Sequence, residues 1–270
     1  MRRAPRWAVS ADRPRRPAHR ADGPGPKTAL PRRESSTPVD DITPSAEDFL
    51  KAVYEIGRTG NAVSTTDLAH HLGLAAASVS GMARRLADAG LVTHAPYRGV
   101  RLTAAGRRTA LRTLRRHRVI EAYLVRALGY PWDEVHPEAE RLEHTASDTL
   151  VDRMAAAIGE PATDPHGAPI PTRDGVVDDA PGESLASVDV GTAVTVLRVS
   201  DEDPLLLRHL AEMGLVPGAS ITVRERAPFG GPLVIDCGRV REHIGLPLAE
   251  RVVVAVPGVR RSRRARRPDG

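Results

Sequence analysis

Cysteine is almost missing from this chain: among 270 residues there is one, Cys237. A disulfide framework within the chain is thereby excluded, which suits a reducing cytoplasm. Aromatic residues make up only 3%, so any core has to be built from Leu, Val, Ala and Ile. No apolar run reaches the roughly 18 residues that mark a membrane span, and no membrane role is expected. The N-terminus carries Arg2 and Arg3 but no apolar stretch after them, so a secretory signal is not expected either. No nucleophile stands beside a base and no glycine-rich phosphate cradle is present. The chain does not read as an enzyme.

What is present is hydrophobic content of 41% and a strongly uneven charge. The formal +5 hides its parts: residues 1–40 carry +6, 41–129 carry +6, 130–258 carry −12 and 259–270 carry +5. A basic segment suits a polyanion and an acidic one suits cations, although charge blocks of this size also occur as plain solvated surface. Residues 1–40, rich in Pro, Arg, Ala and Gly, show no periodicity and read as a disordered basic tail. Residues 258–270 read as a second basic tail.

Periodicity divides the rest. Pro44 opens a helical pattern in which Phe49, Leu50, Val53, Tyr54 and Ile56 share a face, with Ser45 as the expected N-cap and Gly57 and Gly60 as the stop. A short helix is predicted from near Ser64 to Gly73. A further helix is predicted from Ala75 to Asp88, ended by Gly90. Residues 91–103 read as two short strands with a turn at Tyr97-Arg98-Gly99. Helix, tight turn, helix and hairpin make a winged helix-turn-helix over 41–102. In that unit the helix from Ala75 is the reading helix. Ala75 and Ala77 are small enough to approach thymine methyls, and Ser78 and Ser80 can hydrogen-bond to base edges. Arg84, Arg85, Arg98 and Arg101 suit phosphates, which position a protein without reading sequence. The same alanines also serve as plain helix formers, and the same arginines as surface charge.

A long helix is predicted from Thr103 to Leu128 and another from Pro137 to Ile158. Their faces (Leu111, Leu114, Ile120, Leu124; Leu142, Ala146, Leu150, Met154) suit packing on each other and on a second subunit. Residues 159–185 read as a Pro/Gly/Asp-rich linker. Beyond it, over 186–257, the period drops to two. β-type stretches at Ala193–Val199, Ile221–Arg226, Leu233–Asp236 and Arg251–Val256, with a short helix at Leu205–Met213, predict a small barrel-like β domain. The fold class is therefore mainly α with a small β domain.

The densest chemistry is Glu140, Glu143 and His144, at i, i+3 and i+4. On one helix these side chains share a face and could chelate a divalent cation, or simply form a charged surface. His117 and Glu121 stand four apart on the preceding helix, and His136 lies four before Glu140. Ligand-type residues thus occur on both helices. Arg115, Arg116 and Arg118 beside His117 read as a solvated basic face or a phosphate contact. His70, His71 and His94 have no ligand-type partners in these patterns, and His166 reads as structural within a turn.

Here the residues meet a known family. Thr43 to Pro171 resembles the diphtheria-toxin-repressor/manganese-transport-regulator family of metal-dependent repressors. The likeness is carried by Glu47-Asp48-Phe49-Leu50 with Tyr54-Glu55, by Ser78-Val79-Ser80, by Tyr97-Arg98-Gly99, by Arg116-His117-Arg118, by Glu140-Arg141-Leu142-Glu143-His144, and by the loop Pro165-His166-Gly167-Ala168-Pro169-Ile170-Pro171. Residues 186–256 are similar to the SH3-like FeoA domain, through Leu210-Ala211-Glu212-Met213-Gly214-Leu215-Val216-Pro217-Gly218 and Ala227-Pro228-Phe229-Gly230-Gly231-Pro232.

The resemblance implies a repressor that binds double-stranded operator DNA as a homodimer. It implies a primary metal site from Asp48, Glu140, Glu143 and His144, and an ancillary site from His117, Glu121 and His136, giving up to two sites per subunit. Iron-type members often carry sulfur or thioether ligands where this chain has Asp48 and Glu140, and hard oxygen ligands suit Mn²⁺ better than Fe²⁺. Two positions depart from the pattern. Lys51 stands where manganese-type members commonly have a second Glu, which puts a bridged two-metal centre in doubt. Residues 197–203 lack the Glu and Gln that the SH3-like domain donates in some members, with Glu202 or Asp203 as substitutes. Two rival readings remain open on the residues alone: a winged-helix regulator answering to an organic effector, and an interaction module working through its FeoA-like domain.

Overall fold

The structure, a computed structural model, describes residues 42–95, 98–200 and 203–255. Both basic tails, Tyr97 and Glu202 lie outside the described residues.

Helix α1 (Pro44–Ile56) begins at the proline itself, with Thr43 extended ahead of it and no side-chain cap. Ser45 is therefore inside the helix and is not the cap. Proline's fixed φ suits the first helical position, and the residue before a proline is pushed to extended backbone. Phe49, Leu50 and Val53 are buried as the pattern required. Helix α2 (Thr65–Leu72) is capped by Ser64, whose side chain accepts from Asp67 N, and ends at left-handed Gly73. Helix α3 (Ala76–Asp88) buries Val79, Ala83 and Leu86. The wing is the antiparallel pair β1 (Val92–Ala95) and β2 (Gly99–Leu102). Gly99 has φ +78, and a Cβ there would meet Val63 O at 2.5 Å. Glycine is what allows Val63 to bridge to Val100 and close the wing onto the α1–α2 loop.

Helix α4 (Ala104–Leu128) is the spine that packs on α1 and on two later helices. Thr103 caps it, accepting from Gly106 N and donating to Gly90 O at 2.7 Å. The single helix expected from Pro137 to Ile158 is instead two, α5 (Val135–Leu142) and α6 (Asp148–Ala157). Ser147 supplies the reason: its side chain accepts from Leu150 N, starting a new helix. Residues 143–147 form the turn between them. Leu111, Leu114, Ile120 and Leu124 are buried, whereas Leu142 and Leu150 remain exposed.

The stretch after α6 is packed in its first part. Thr163 bridges to Pro169, and Asp164, His166, Ala168 and Ile170 are all buried. Strand β3 (Glu183–Ser184) then opens a six-stranded antiparallel sheet completed by β4 (Ala193–Val199), β5 (Ser220–Arg226), β6 (Leu233–Cys237), β7 (Val240–Ile244) and β8 (Val252–Ala255). Its order is β3-β8-β4-β5-β6-β7. Among the described residues β3 and β7 do not pair, so the pairing leaves two edges and no closed barrel. Bulges at Val196/Arg198 and Val223/Glu225 bend the long strands. Helix α7 (Pro204–Glu212), capped by Asp203, and the single turn α8 (Leu246–Ala249) complete the domain. Strand β7 was not foreseen, because of its residues only Ile244 is buried and an edge strand gives no alternation.

The two halves meet along β4. Val199 N donates to His166 O at 3.0 Å, and Arg198 pairs with Asp179, which also holds Arg58 in the 3-10 turn Gly57–Thr59 after α1.

Candidate metal centre

Three elements converge on one acid-rich cluster: the first turns of α1, the middle of α4, and the turn that follows α5. Asp48, Glu143 and His144 place ligand atoms within 4.8 Å of one another. The spacing argument put Glu143 and His144 on a helix, yet α5 stops at Leu142. Glu143 keeps helical backbone (φ −59, ψ −33) as the C-cap, so its side chain still projects on the expected side.

Tautomer logic defines what this cluster can hold. His144 Nδ1 lies 2.7 Å from Glu47 Oε2. A carboxylate only accepts, so Nδ1 carries the proton and donates. Nε2 is then directed at Asp48 Oδ1 (2.9 Å) and Glu143 Oε1 (3.5 Å). Asp48 Oδ1 is enclosed and accepts no hydrogen bond. In the neutral imidazole Nε2 offers a lone pair that, with the carboxylate oxygens aimed at the same point, suits a divalent cation, whereas with Nε2 protonated the same contact is an ion pair to Asp48. A carboxylate holding the far nitrogen is the usual orienting partner of a ligand histidine. Glu47, held by Arg116 at 3.5 Å, stands in that orienting position on His144, and the spacing reading missed it. Its signal was its position directly before Asp48.

Glu140, expected with these three, is set slightly apart. Its Oε1 accepts from Lys51 Nζ at 2.7 Å and lies 3.8 Å from His136 Nε2. Lys51 Nζ also donates to Glu143 Oε1 at 2.7 Å. His117, His136 and Glu140 form a second group of candidate ligands. His117 is the hinge between the groups. Its Nδ1 is 2.5 Å from Glu143 Oε2, and its Nε2 is 3.0 Å from Glu121 Oε1 and 3.1 Å from His136 Nδ1.

A third group is wholly buried: Glu121, Asp164 and His166. His166 Nε2 donates to Trp132 O at 2.8 Å, so Nδ1 is the basic nitrogen, and it faces Glu121 Oε2 at 3.8 Å. Glu121 Oε2 accepts no hydrogen bond. Asp164 Oδ1 is fixed by His166 N and Ala168 N, both at 2.9 Å. Sequence reading treated His166 as a turn residue and passed over Asp164. The available signal was an Asp and a His two residues apart in a proline-flanked loop. In the SH3-like domain Asp203 is used as the cap of α7.

The arginines beside His117 are structural, not a solvated face. Arg115 donates to Pro171 O and pairs with Asp152, Arg116 pairs with Asp148, and Arg118 donates to Pro169 O at 2.6 Å. They clamp the loop and α6 onto α4.

Buried charges of both signs shift one another. Burial alone would push the His117 imidazole down, but Glu121 and Glu143 override it and raise it to about 10. Burial would likewise raise Glu140 and Glu143, yet Lys51 and His117 hold both below the usual carboxylate value of 4.5. The stability contributed by the carboxylates is present above 4.5 and lost as pH falls. That of His117 is complete below its ordinary 6.5 and lost as pH rises toward 10. Thermal melts of the metal-free protein are expected to peak between these limits and decline from pH 6.5 toward 10. A melting temperature that climbed across that range would contradict a protonated His117.

In the winged helix, α3 turns Ala77, Ser78, Arg84 and Arg85 outward, opposite its buried face, with Ala75 exposed at its start and Ser80 half-buried on the flank. Arg98 and Arg101 are exposed on the wing, and Arg101 donates to Gly60 O.

A winged helix, a carboxylate–imidazole cluster joining it to a helical layer, and an SH3-like sheet docked on that layer define a metal-responsive DNA-binding protein. Comparison with known proteins agrees. Residues 41–100 match the iron-dependent repressor N-terminal DNA-binding domain, 103–172 the iron-dependent repressor metal-binding and dimerisation domain, and 183–256 the FeoA domain. The iron-dependent repressor IdeR of Mycobacterium leprae is 31% identical over 225 residues, covering 77% of this chain and 95% of that protein. A manganese-dependent transcriptional repressor solved with manganese is 40% identical, with TM-score 0.75, covering 78% of this chain and 99% of that one. ScaR with bound Cd²⁺ is 30% identical, with TM-score 0.69, covering 78% and 98%. The chain belongs to the iron-dependent repressor family: it is a metal-dependent, DNA-binding transcriptional repressor of metal homeostasis. No described helix is long and apolar enough to cross a membrane.

Proposed function

We propose that this repressor senses Mn²⁺ through Asp48, Glu140, Glu143 and His144. A second, ancillary site is drawn from His117, Glu121 and His136, with Asp164 and His166 adjoining it. The observation that carries this reading is the meeting of Asp48 from α1, whose Oδ1 accepts no hydrogen bond, with Glu143 and His144 from the turn after α5. Their oxygen-rich chemistry favours Mn²⁺ over softer-site metals, with Fe²⁺ as the alternative. A solved relative is described as a complex with manganese and a curated relative is named for iron.

The division of labour follows the chain: DNA reading by 41–102, metal binding and dimerisation by 103–158, a connecting segment over 159–185, and an SH3-like module over 186–257. Metal neutralises carboxylates on both sides of the α1 seam and fixes how the winged helix sits on α4 and α5. In a homodimer built on the helical layer, where Leu142 and Leu150 are exposed, that fixes the spacing of two reading helices. The spacing must match successive major grooves of a two-fold operator. Ala75, Ala77, Ser78 and Ser80 then meet base edges, and Arg84, Arg85, Arg98 and Arg101 meet phosphates. Metal and operator affinities are coupled reciprocally, by ~1–3 kcal/mol for a typical coupling.

Fluorescence anisotropy with DNA from upstream of this gene and of neighbouring metal-transport genes tests the reading. Saturable, sequence-selective binding that needs Mn²⁺ and disappears in Glu140→Ala is expected. Equally tight binding in chelator would remove the metal switch.

A further inference from the structure

Lys51 is the residue at this centre that the proposed function leaves without a role. It lies one helical turn after Asp48 on α1, so both side chains enter the same cluster. Its Nζ stands 2.7 Å from Glu140 Oε1 and 2.7 Å from Glu143 Oε1, with its side chain 10% exposed. Glu143 Oε1 is the same oxygen that faces His144 Nε2 at 3.5 Å. The ammonium and the His144 imidazole therefore share one carboxylate oxygen. Through Glu143 and Glu140 the ammonium links the Asp48–Glu143–His144 cluster to the His117–His136–Glu140 group. Two carboxylates pinching a point, one of them fully buried, define a place that demands positive charge. In this chain the protein fills that place itself.

We propose that the Lys51 ammonium is a tethered second cation of the metal centre. It holds the Glu140 and Glu143 carboxylates that would otherwise be open to a further divalent ion, and so limits the primary centre to one exchangeable ion. This rests on the reading of Asp48, Glu143 and His144 as metal ligands. Two consequences follow from the geometry. The ion pairs dock α1 against α5 without metal, so the metal-free repressor is held partly assembled. The fixed charge also repels the exchangeable ion and draws on the same ligand oxygens, which sets the affinity lower than the carboxylate count alone would give. An ammonium is a point charge with three donors and no coordination demand, so it can hold two carboxylates without competing in geometry with the ion at Asp48.

The test uses the full chain with Lys51→Met, Lys51→Glu and Lys51→Arg, titrated with Mn²⁺ and followed by elemental analysis, calorimetry and electron paramagnetic resonance. Lys51→Met is expected to bind Mn²⁺ at least about tenfold more tightly than wild type, while its metal-free form melts at lower temperature. Lys51→Glu is expected to retain one more Mn²⁺ per protomer and to show an exchange-coupled pair that wild type lacks. Lys51→Arg, which keeps the charge, should match wild type in ion count. Lys51→Met binding no tighter, or Lys51→Glu gaining no coupled ion, would overturn the proposal while leaving the metal-sensing reading in place. Wild type failing to bind Mn²⁺ at all would overturn both.

Discussion

Replacing Asp48 with alanine is expected to abolish metal-dependent operator binding and to leave the metal-free fold intact. The two effects separate because of how Asp48 sits. Its Oδ1 accepts no hydrogen bond. Burial raises its carboxyl above the ordinary 3.8, despite the opposing pull of His144 and Lys51. In the metal-free protein the ionised side chain is thus a small liability, and removing it costs no packing of consequence. Metal is what makes the group useful. Losing an orienting partner of a ligand typically weakens metal binding about 10–100-fold, so losing a ligand should cost at least about 100-fold. Glu143 offers no such separation. It is fully buried, and its two oxygens serve Lys51 and His117. Glu143→Ala would take one carboxylate from each buried cation, leaving Lys51 only Glu140 and His117 only Glu121, and cost up to about 3–5 kcal/mol of folding stability. Calorimetry with Mn²⁺ beside melts in chelator distinguishes the cases. An Asp48→Ala protein whose operator binding still responded to Mn²⁺ at the wild-type midpoint would take α1 out of the centre.

The readable parts of this chain were those with local causes. Ser64, Gly73 and Thr103 mark helix ends through caps that the neighbouring backbone completes, and the structure has them where the sequence placed them. Of the trio Glu140, Glu143 and His144 picked out by spacing, Glu143 and His144 meet Asp48 while Glu140 stands with His117 and His136, and the helix assumed for them ends before Glu143. Helical dihedrals persisting for one more residue preserved the geometry. What was not readable depends on partners far along the chain. Arg115, Arg116 and Arg118 look like a solvated run until their acceptors at Pro171, Asp148 and Pro169 are brought against α4. Asp164 and His166 sit in a loop without periodicity, and only the turn they build with Ala168 aims them at Glu121. Lys51 is a charged residue within a helix whose neighbours Leu50 and Ala52 are buried. Its significance depends on Glu140 and Glu143, 89 and 92 positions away.

Gly167→Ala is expected to have the largest effect on stability of any single methyl added at the seam between the helical layer and the sheet. Gly167 has φ +89, and a Cβ there would lie 2.0 Å from Leu197 O and 3.0 Å from Arg198 Cα, both backbone atoms of β4. Left-handed strain alone costs roughly 1–3 kcal/mol, and the collision adds to it, so a loss of about 3 kcal/mol or more is expected. The turn is poorly placed to yield. Asp164 Oδ1 holds the amides on either side of Gly167, and Gly167 N itself donates to Asp164 O at 3.2 Å. Strand β4 is the softer partner, tied to the loop by the Val199 N to His166 O bond. The SH3-like domain should therefore lift from the loop before the loop leaves α4. Hydrogen exchange over 193–199 would then rise sharply, while residues 162–170 stay protected by Arg115 and Arg118. Loss of protection in both segments would place the strain in the turn and carry His166 away from Glu121. Unchanged exchange and melting temperature would mean that β4 does not pack against Gly167 at all. With the domain lifted and Asp48, Glu143 and His144 undisturbed, operator binding should still respond to Mn²⁺, because none of these groups is supplied by the sheet.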